Sequence, residues 1–330
     1  MTTNILWFLA GLALLIVGAE VLVRGGAEVA VRLGIRPIVI GLTVVSIGTS
    51  MPELAVGVVS SGDGSGALAV GNIAGTNVVN VLLILGLSAL LVPLLLQTRT
   101  IRLELPLMAV AALLLWALAA DGVLSRVDGV VLVIGALAYT VAVIRSARDE
   151  SHEVEEEFAV ELAAEYGTDE VGAVTTKKRS TWVYVAMTLA GIAILVLGAD
   201  WLVDSAVGMA RQFGVSDALI GLTVVAIGTS APELVTTLIS TIRGDRDIAI
   251  GNLIGSSIYN LLLILGVTCL VPAQGLELPA SLVSVDIPIM VAVALICIPI
   301  FMTGRRVSRI EGGLMVCAYG AYLAFLLLTA

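Results

Sequence analysis

Thr49, Ser50 and Glu53 stand together in GTSMPE, residues 48–53, and Thr229, Ser230 and Glu233 stand together in GTSAPE, residues 228–233. In each motif the hydroxyls precede the carboxylate by four and three residues, so on a helix they are its neighbours. A second polar pair follows each motif at i and i+4: Thr76 with Asn80, and Ser256 with Asn260. The set amounts to two carboxylates, six hydroxyls and two amides, with no His or Cys. Hard cations such as Ca²⁺ and Na⁺ take oxygen ligands of this kind, whereas zinc and copper favour nitrogen and sulfur. Neutral, flexible oxygens in this number suit Ca²⁺ better than the strict octahedron of Mg²⁺.

The surroundings of these groups are apolar. Glu53 is the only ionisable residue in PIVIGLTVVSIGTSMPELAVGVV, residues 37–59, a run long enough to cross a bilayer. A charge at mid-membrane costs at least about 2.5–3.5 kcal/mol on insertion scales. Two carboxylates at matched positions therefore point to an ion site rather than to satisfied core groups. For the hydroxyls and amides, helix–helix packing is the stronger rival reading. Pro52 and Pro232 supply no N–H to the carbonyls of Gly48 and Gly228, and each breaks its helix. Backbone freed in this way at membrane depth must line a cavity or lie buried in protein. Asn72 and Asn252 are read as caps of half-helices beyond the breaks, outside the ligand set.

The elements that must position these groups follow from composition. Of 330 residues, 59% are hydrophobic and 13% charged, far from the roughly half and quarter of a soluble domain. Ten apolar runs read as spanning helices: about 4–23, 37–60, 67–92, 103–120, 128–146, 182–203, 217–241, 247–271, 282–303 and 311–329. The opening run has no basic residue before it and is read as the first span, not a cleaved signal. Fifteen of the 17 Lys and Arg fall in loops on one side, and only Arg126 and Arg211 on the other. Cytoplasmic loops carry that excess, so both termini are expected outside a cell membrane. The net charge of −9 comes from residues 149–170, which hold ten acids and no Lys or Arg. This acidic linker, 147–181, is expected to be cytoplasmic and solvated; it has no EF-hand spacing. Cys269, Cys297 and Cys317 sit in apolar runs with no metal or disulfide spacing.

The linker separates five spans, residues 1–146, from five more, residues 182–330, and the two sets match at an offset of 180. GLTVVSIGTSMPE from Gly41 aligns with GLTVVAIGTSAPE from Gly221, and AVGNIAGTNVVNVLLILG from Ala69 aligns with AIGNLIGSSIYNLLLILG from Ala249. GAEVLV at Gly18 aligns with GADWLV at Gly198. Because five is odd, the second set enters the membrane from the opposite side. The fold expected is an all-α integral membrane protein of ten transmembrane helices, built as two inverted-topology five-helix repeats with spans 2, 3, 7 and 8 interrupted. Such repeats mark secondary transporters that hold substrate near the midplane.

These motifs resemble the two α-repeats of the sodium/calcium exchanger family, in the calcium/cation antiporter superfamily, of the prokaryotic ten-helix type. The resemblance covers nearly the whole chain. It implies an ion site formed by Thr49, Ser50, Glu53, Thr76 and Asn80 with Thr229, Ser230, Glu233, Ser256 and Asn260, joined by the carbonyls of Ser46 and Ala226. It implies alternating access in which spans 1 and 6 move against the rest. Some relatives carry Asp where this chain has Asn260, which leaves the counter-ion open between Na⁺ and H⁺. Ca²⁺ and Na⁺ are then substrates rather than cofactors. The partners are inorganic cations and the lipid bilayer, with no nucleic acid and no obligate protein partner, so a monomer suffices. A passive cation channel and an intramembrane hydrolase are the rival classes. Inversion of the repeats weighs against the channel, and the embedding of both Glu among neutral oxygens weighs against the hydrolase. Glu20 and Asp200, equivalent acids late in spans 1 and 6, are read as holding a neighbouring helix end or drawing cations to an entrance.

Overall fold

The computed structural model describes residues 2–33, 35, 37–62, 64–95, 100–145, 180–213, 226–302 and 304–329. The acidic linker lies outside these up to residue 179, as does the 221–225 portion of the second motif. Helical segments stand at each of the ten expected spans: α1 (Thr2–Leu33), α2 (Ile38–Thr49) with α3 (Met51–Gly62), α4 (Gly66–Leu91), α5 (Thr100–Asp121), α6 (Arg126–Arg145), α7 (Thr181–Gln212), α8 (Ala226–Thr229) with α9 (Ala231–Arg243), α10 (Arg246–Leu270), α11 (Leu282–Met302) and α12 (Arg309–Thr329).

Helices α1 and α7 both outrun their apolar segments. In α1 the added turns carry charged residues as well as buried Val29 and Ala30, and Glu20 pairs with Arg24 at 2.6 Å and Glu28 with Arg32 at 3.9 Å, both i and i+4. Pairs so spaced add a few tenths of a kcal/mol each to a helix. Arg24 and Arg32, expected in a loop, are therefore helical.

Spans 2 and 7 break where the prolines require it. Helices α2 and α3 meet at Ser50 with a bend of 41°. Ser50 (φ −83°, ψ 11°) and Ser230 (φ −82°, ψ 3°) have nearly the same bridge-region backbone. Spans 3 and 8 differ from expectation: α4 and α10 run through without a chain break. They loosen instead into π-helical turns at Val79–Leu85 and Asn260–Ile264. The extra residue in such a turn shifts the helix face, an arrangement often found at functional sites. Asn72 and Asn252 sit inside α4 and α10, not at caps, because no break precedes them.

Helices α4 and α10 form the centre. Within the most apolar window of each, 83% of α10 and 72% of α4 is buried, against 28% for α1, α6 and α7. The two halves interleave around them. Strand β1 (Leu94–Leu95), after α4, pairs antiparallel with β4 (Arg306–Val307), before α12. Strand β2 (Val123–Leu124), before α6, pairs with β3 (Leu276–Glu277), after α10. Helix α12 seats its Gly312 against Gly86 of α4, and α6 seats Gly129 against Gly266 of α10. Each glycine pair and each ribbon thus joins one half to the other in matched fashion.

Outside this core, α1 and α7 lie antiparallel along their length, backbone close to backbone. A Cβ added at Gly18 would come 2.8 Å from Leu195 N, and one at Gly191 would come 2.6 Å from Leu22 N. Only glycine permits that approach. Overpacking of this kind costs about 1–3 kcal/mol. Gly191→Val is therefore expected to lower the melting temperature of the detergent-purified protein by several degrees, while Gly320→Val, on α12 with no neighbour within 4 Å, leaves it near the parent value; differential scanning fluorimetry checks this.

Candidate ion-binding site

Both breaks bring a carboxylate to the start of a new helix. Glu53 lies in the first turn of α3 and Glu233 in the first turn of α9. A helix N-terminus stabilises negative charge by its unpaired N–H groups and its dipole. Both side chains are fully buried, and they lie close enough for their charges to interact. Most of their neighbours come from the opposite half: Thr229 stands beside Glu53, while Thr49 and Ser50, with Ser256 of its own half, surround Glu233.

The hydrogen bonds interlock the halves. Ser50 Oγ donates to Glu233 Oε1 at 3.1 Å, and Ser230 Oγ to Thr76 Oγ1 at 3.4 Å. Thr49 Oγ1 lies 3.3 Å from Ser256 Oγ and donates to Asn252 Oδ1 at 3.1 Å. Thr229 Oγ1 donates to Asn72 Oδ1 at 3.5 Å. Ser46 donates its hydroxyl to the carbonyls of Gly41 (2.5 Å) and Asn252 (3.0 Å), and its own carbonyl accepts from Ser256 at 3.4 Å. Ala226, at the equivalent place, opens α8 and has no hydroxyl with which to repeat this.

Several buried oxygens have no hydrogen-bond partner among the described residues: both of Glu53, Oε2 of Glu233, and Oδ1 of Asn80 and of Asn260. Asn80 lies in the π turn of α4, which packs against α9, and Asn260 in the π turn of α10, which packs against α3. Each amide is thus set against the helix that carries the other half's carboxylate. Oxygens this deep without donors are costly unless they meet a cation. The donor set is oxygen alone, with two formal negative charges, so it fits a divalent hard cation or two monovalent ones.

Comparison with known proteins agrees with this geometry. The family described as sodium/calcium exchanger protein matches residues 3–145 and 183–328. The chain belongs to that family. It is 35% identical over 318 residues to a putative antiporter, CaxA, of Alkalimonas amylolytica, covering 96% of each chain. It is 31% identical over 353 residues to the sodium/calcium exchanger MaX1 of Methanosarcina acetivorans, covering 98% of this chain and 99% of the other. Its fold matches the sodium–calcium exchanger NCX_Mj soaked with 2.5 mM Na⁺ and 0.1 mM Ca²⁺, with a TM-score of 0.81, 27% identity and 98% of each chain covered. The ten-helix architecture with inverted repeats is that of this exchanger, in a multi-pass membrane protein.

Set beside the sequence expectation, the structure brings Thr49, Ser50, Thr76, Thr229, Ser230, Ser256, Glu53 and Glu233 into one buried cluster and buries Asn80 and Asn260 beside it. It adds Asn72 and Asn252, whose amide oxygens receive the threonine hydroxyls, and Thr237, whose hydroxyl accepts from Asn252 Nδ2 at 3.1 Å. The signal for the asparagines was present in the paired GN of both repeats. That for Thr237 was not, because its counterpart is Gly57. Glu20 holds a helix end, binding Arg243 at the close of α9 as well as Arg24. Asp200 lies exposed on α7.

If the halves meet as described, cysteines placed at Thr49 and Ser256 in a variant lacking the three native cysteines should form a cross-link with Hg²⁺. Mass spectrometry of the digested protein should join peptides from the two halves, and neither single variant should yield that product.

Proposed function

We propose that this protein is a secondary active antiporter that exchanges Ca²⁺ for Na⁺ by alternating access, with both ions held between the repeats. Residues 1–146 and 182–330 form one transport unit working as a monomer, with residues 147–181 as a cytoplasmic linker and both termini outside. The observation that carries the reading is the pair of fully buried carboxylates set close together among oxygens with no hydrogen-bond partner among the described residues. The relatives named above as exchangers and an antiporter support it.

Glu53 and Glu233 supply two negative charges. One Ca²⁺ neutralises them, and so do two Na⁺. Thr49, Ser50, Thr76 and Asn80, with Thr229, Ser230, Ser256 and Asn260, complete the shell through their oxygens, and the carbonyls of Ser46 and Ala226 close its ends. An empty site carries both charges and crosses the low-dielectric barrier only at high cost, whereas a filled one is nearly neutral. Competition for the same two carboxylates then enforces exchange without a separate coupling device. A third Na⁺ would leave one positive charge in transit and make the rate sensitive to voltage at about 2.3 kcal/mol per charge per 100 mV.

Two outcomes are expected in sealed proteoliposomes. Glu53→Gln and Glu233→Gln each abolish ⁴⁵Ca²⁺ uptake driven by an outward Na⁺ gradient; uptake at the parent rate by either variant refutes the site. Uptake by the parent protein persists when the pH gradient is collapsed and stops when K⁺ replaces Na⁺. The reverse pattern would make the counter-ion a proton.

A further inference from the structure

A hydroxyl group has one hydrogen and two lone pairs. It serves as a cation ligand only when its hydrogen points elsewhere, since a hydrogen aimed at the ion places partial positive charge against it. Thr49 Oγ1 has acceptors for that hydrogen, Asn252 Oδ1 at 3.1 Å and the Ser46 carbonyl at 3.3 Å. Ser256 Oγ lies 3.5 Å from the same amide oxygen. Ser256 has a nearer acceptor in the Ser46 carbonyl at 3.4 Å, which leaves the amide oxygen to Thr49.

An amide does this dependably only if it cannot turn over. The Asn252 amide is pinned from its other end, where Nδ2 donates to Thr237 Oγ1 at 3.1 Å. All three side chains are fully buried, so no water competes for the bond. The chain Thr237–Asn252–Thr49 runs from α9 through α10 to the end of α2, binding both repeats at the place where the ligand hydroxyls sit.

The mirror side lacks this anchor. There Thr229 reaches Asn72 Oδ1 at 3.5 Å, and Asn72 Nδ2 has no hydrogen-bond partner among the described residues. The residue equivalent to Thr237 is Gly57, which has no side chain to offer. The backbone near it is also crowded, since a Cβ at Gly57 would come 2.5 Å from Thr268 Oγ1. One side of the cage is thus fixed and the other is left adjustable.

From this geometry we infer that Asn252 and Thr237 are positioning residues for the ion site: they orient the hydrogen of Thr49 away from the cation and make the Thr49 side of the cage its rigid half. This deepens the exchanger reading and rests on it.

Calcium-dependent ⁴⁵Ca²⁺ uptake driven by a Na⁺ gradient in proteoliposomes, at varied Ca²⁺, tests the inference. Thr237→Val keeps the shape of the side chain and removes the acceptor. It is expected to raise KM for Ca²⁺ about tenfold with kcat within twofold of the parent. Thr237→Ser restores the parent KM. Ser240→Ala removes another buried hydroxyl of α9, one bonded only to its own helix at Thr236 O (2.8 Å), and leaves KM unchanged. Because Asn252 acts through Thr49, Thr49→Val with Asn252→Ala is expected to raise KM no further than the larger single effect. A parent KM in Thr237→Val, equal KM values in Thr237→Ser and Thr237→Val, or multiplying effects of Thr49→Val and Asn252→Ala would each overturn the inference. Na⁺-driven uptake by the parent protein and its loss in Glu53→Gln test the exchanger reading separately. Should Asn252→Ala fail to fold, the two Thr237 variants decide the matter alone.

Discussion

Two carboxylates of like charge, each sealed from water and, among the described residues, neither bonded to a basic side chain, meet where the halves of this protein join. That repulsion is the constraint on which the remaining structure depends. Burial removes the solvent that would screen it, and the helix N-termini beneath Glu53 and Glu233 relieve it only in part. The rest falls to whatever binds between them. Hydroxyls and amides supply further oxygens without adding charge, so the arrangement responds to cation charge and size and to little else.

Holding that arrangement requires that the two halves be unable to drift apart. Ribbons β1–β4 and β2–β3 and the contacts Gly86–Gly312 and Gly129–Gly266 each tie one repeat to the other at the periphery. The first motif's α2 lies against α10 of the second, with Ser46 donating to backbone carbonyls there. Helices α1 and α7 stand apart from this weave. They pack chiefly on each other, glycine against backbone, so the pair has the form of a single rigid body laid against the core. Glu20, bound to Arg243, is a polar contact that crosses from that pair to α9.

The symmetry is close but broken where it matters for chemistry. Ser50 bonds Glu233 while Ser230 bonds Thr76, and Thr237 anchors an amide where Gly57 offers nothing. A single ion placed between such halves meets one preset wall and one yielding wall. Inverted repeats allow the two access states to be similar in energy, and small asymmetries of this kind allow them to differ in affinity.

The apolar runs, the proline-broken motifs and the offset of 180 determined that the chain spans a membrane ten times in inverted halves and that Glu53 and Glu233 are its central acids. These features depend on local spacing and on the composition of each segment, so they are legible without coordinates. The end of α1 escaped the reading because charged residues stand there among the buried Val29 and Ala30. The π turns of α4 and α10 escaped it because an extra residue per turn changes backbone register without changing composition. Tertiary structure alone decided that Asn72 and Asn252 receive threonine hydroxyls across the repeat boundary and that Thr237 holds one of them. The threonine contacts join residues 203 and 157 positions apart and close only when helices from both halves pack together, while the Thr237 contact, 15 positions apart, needs α9 and α10 side by side.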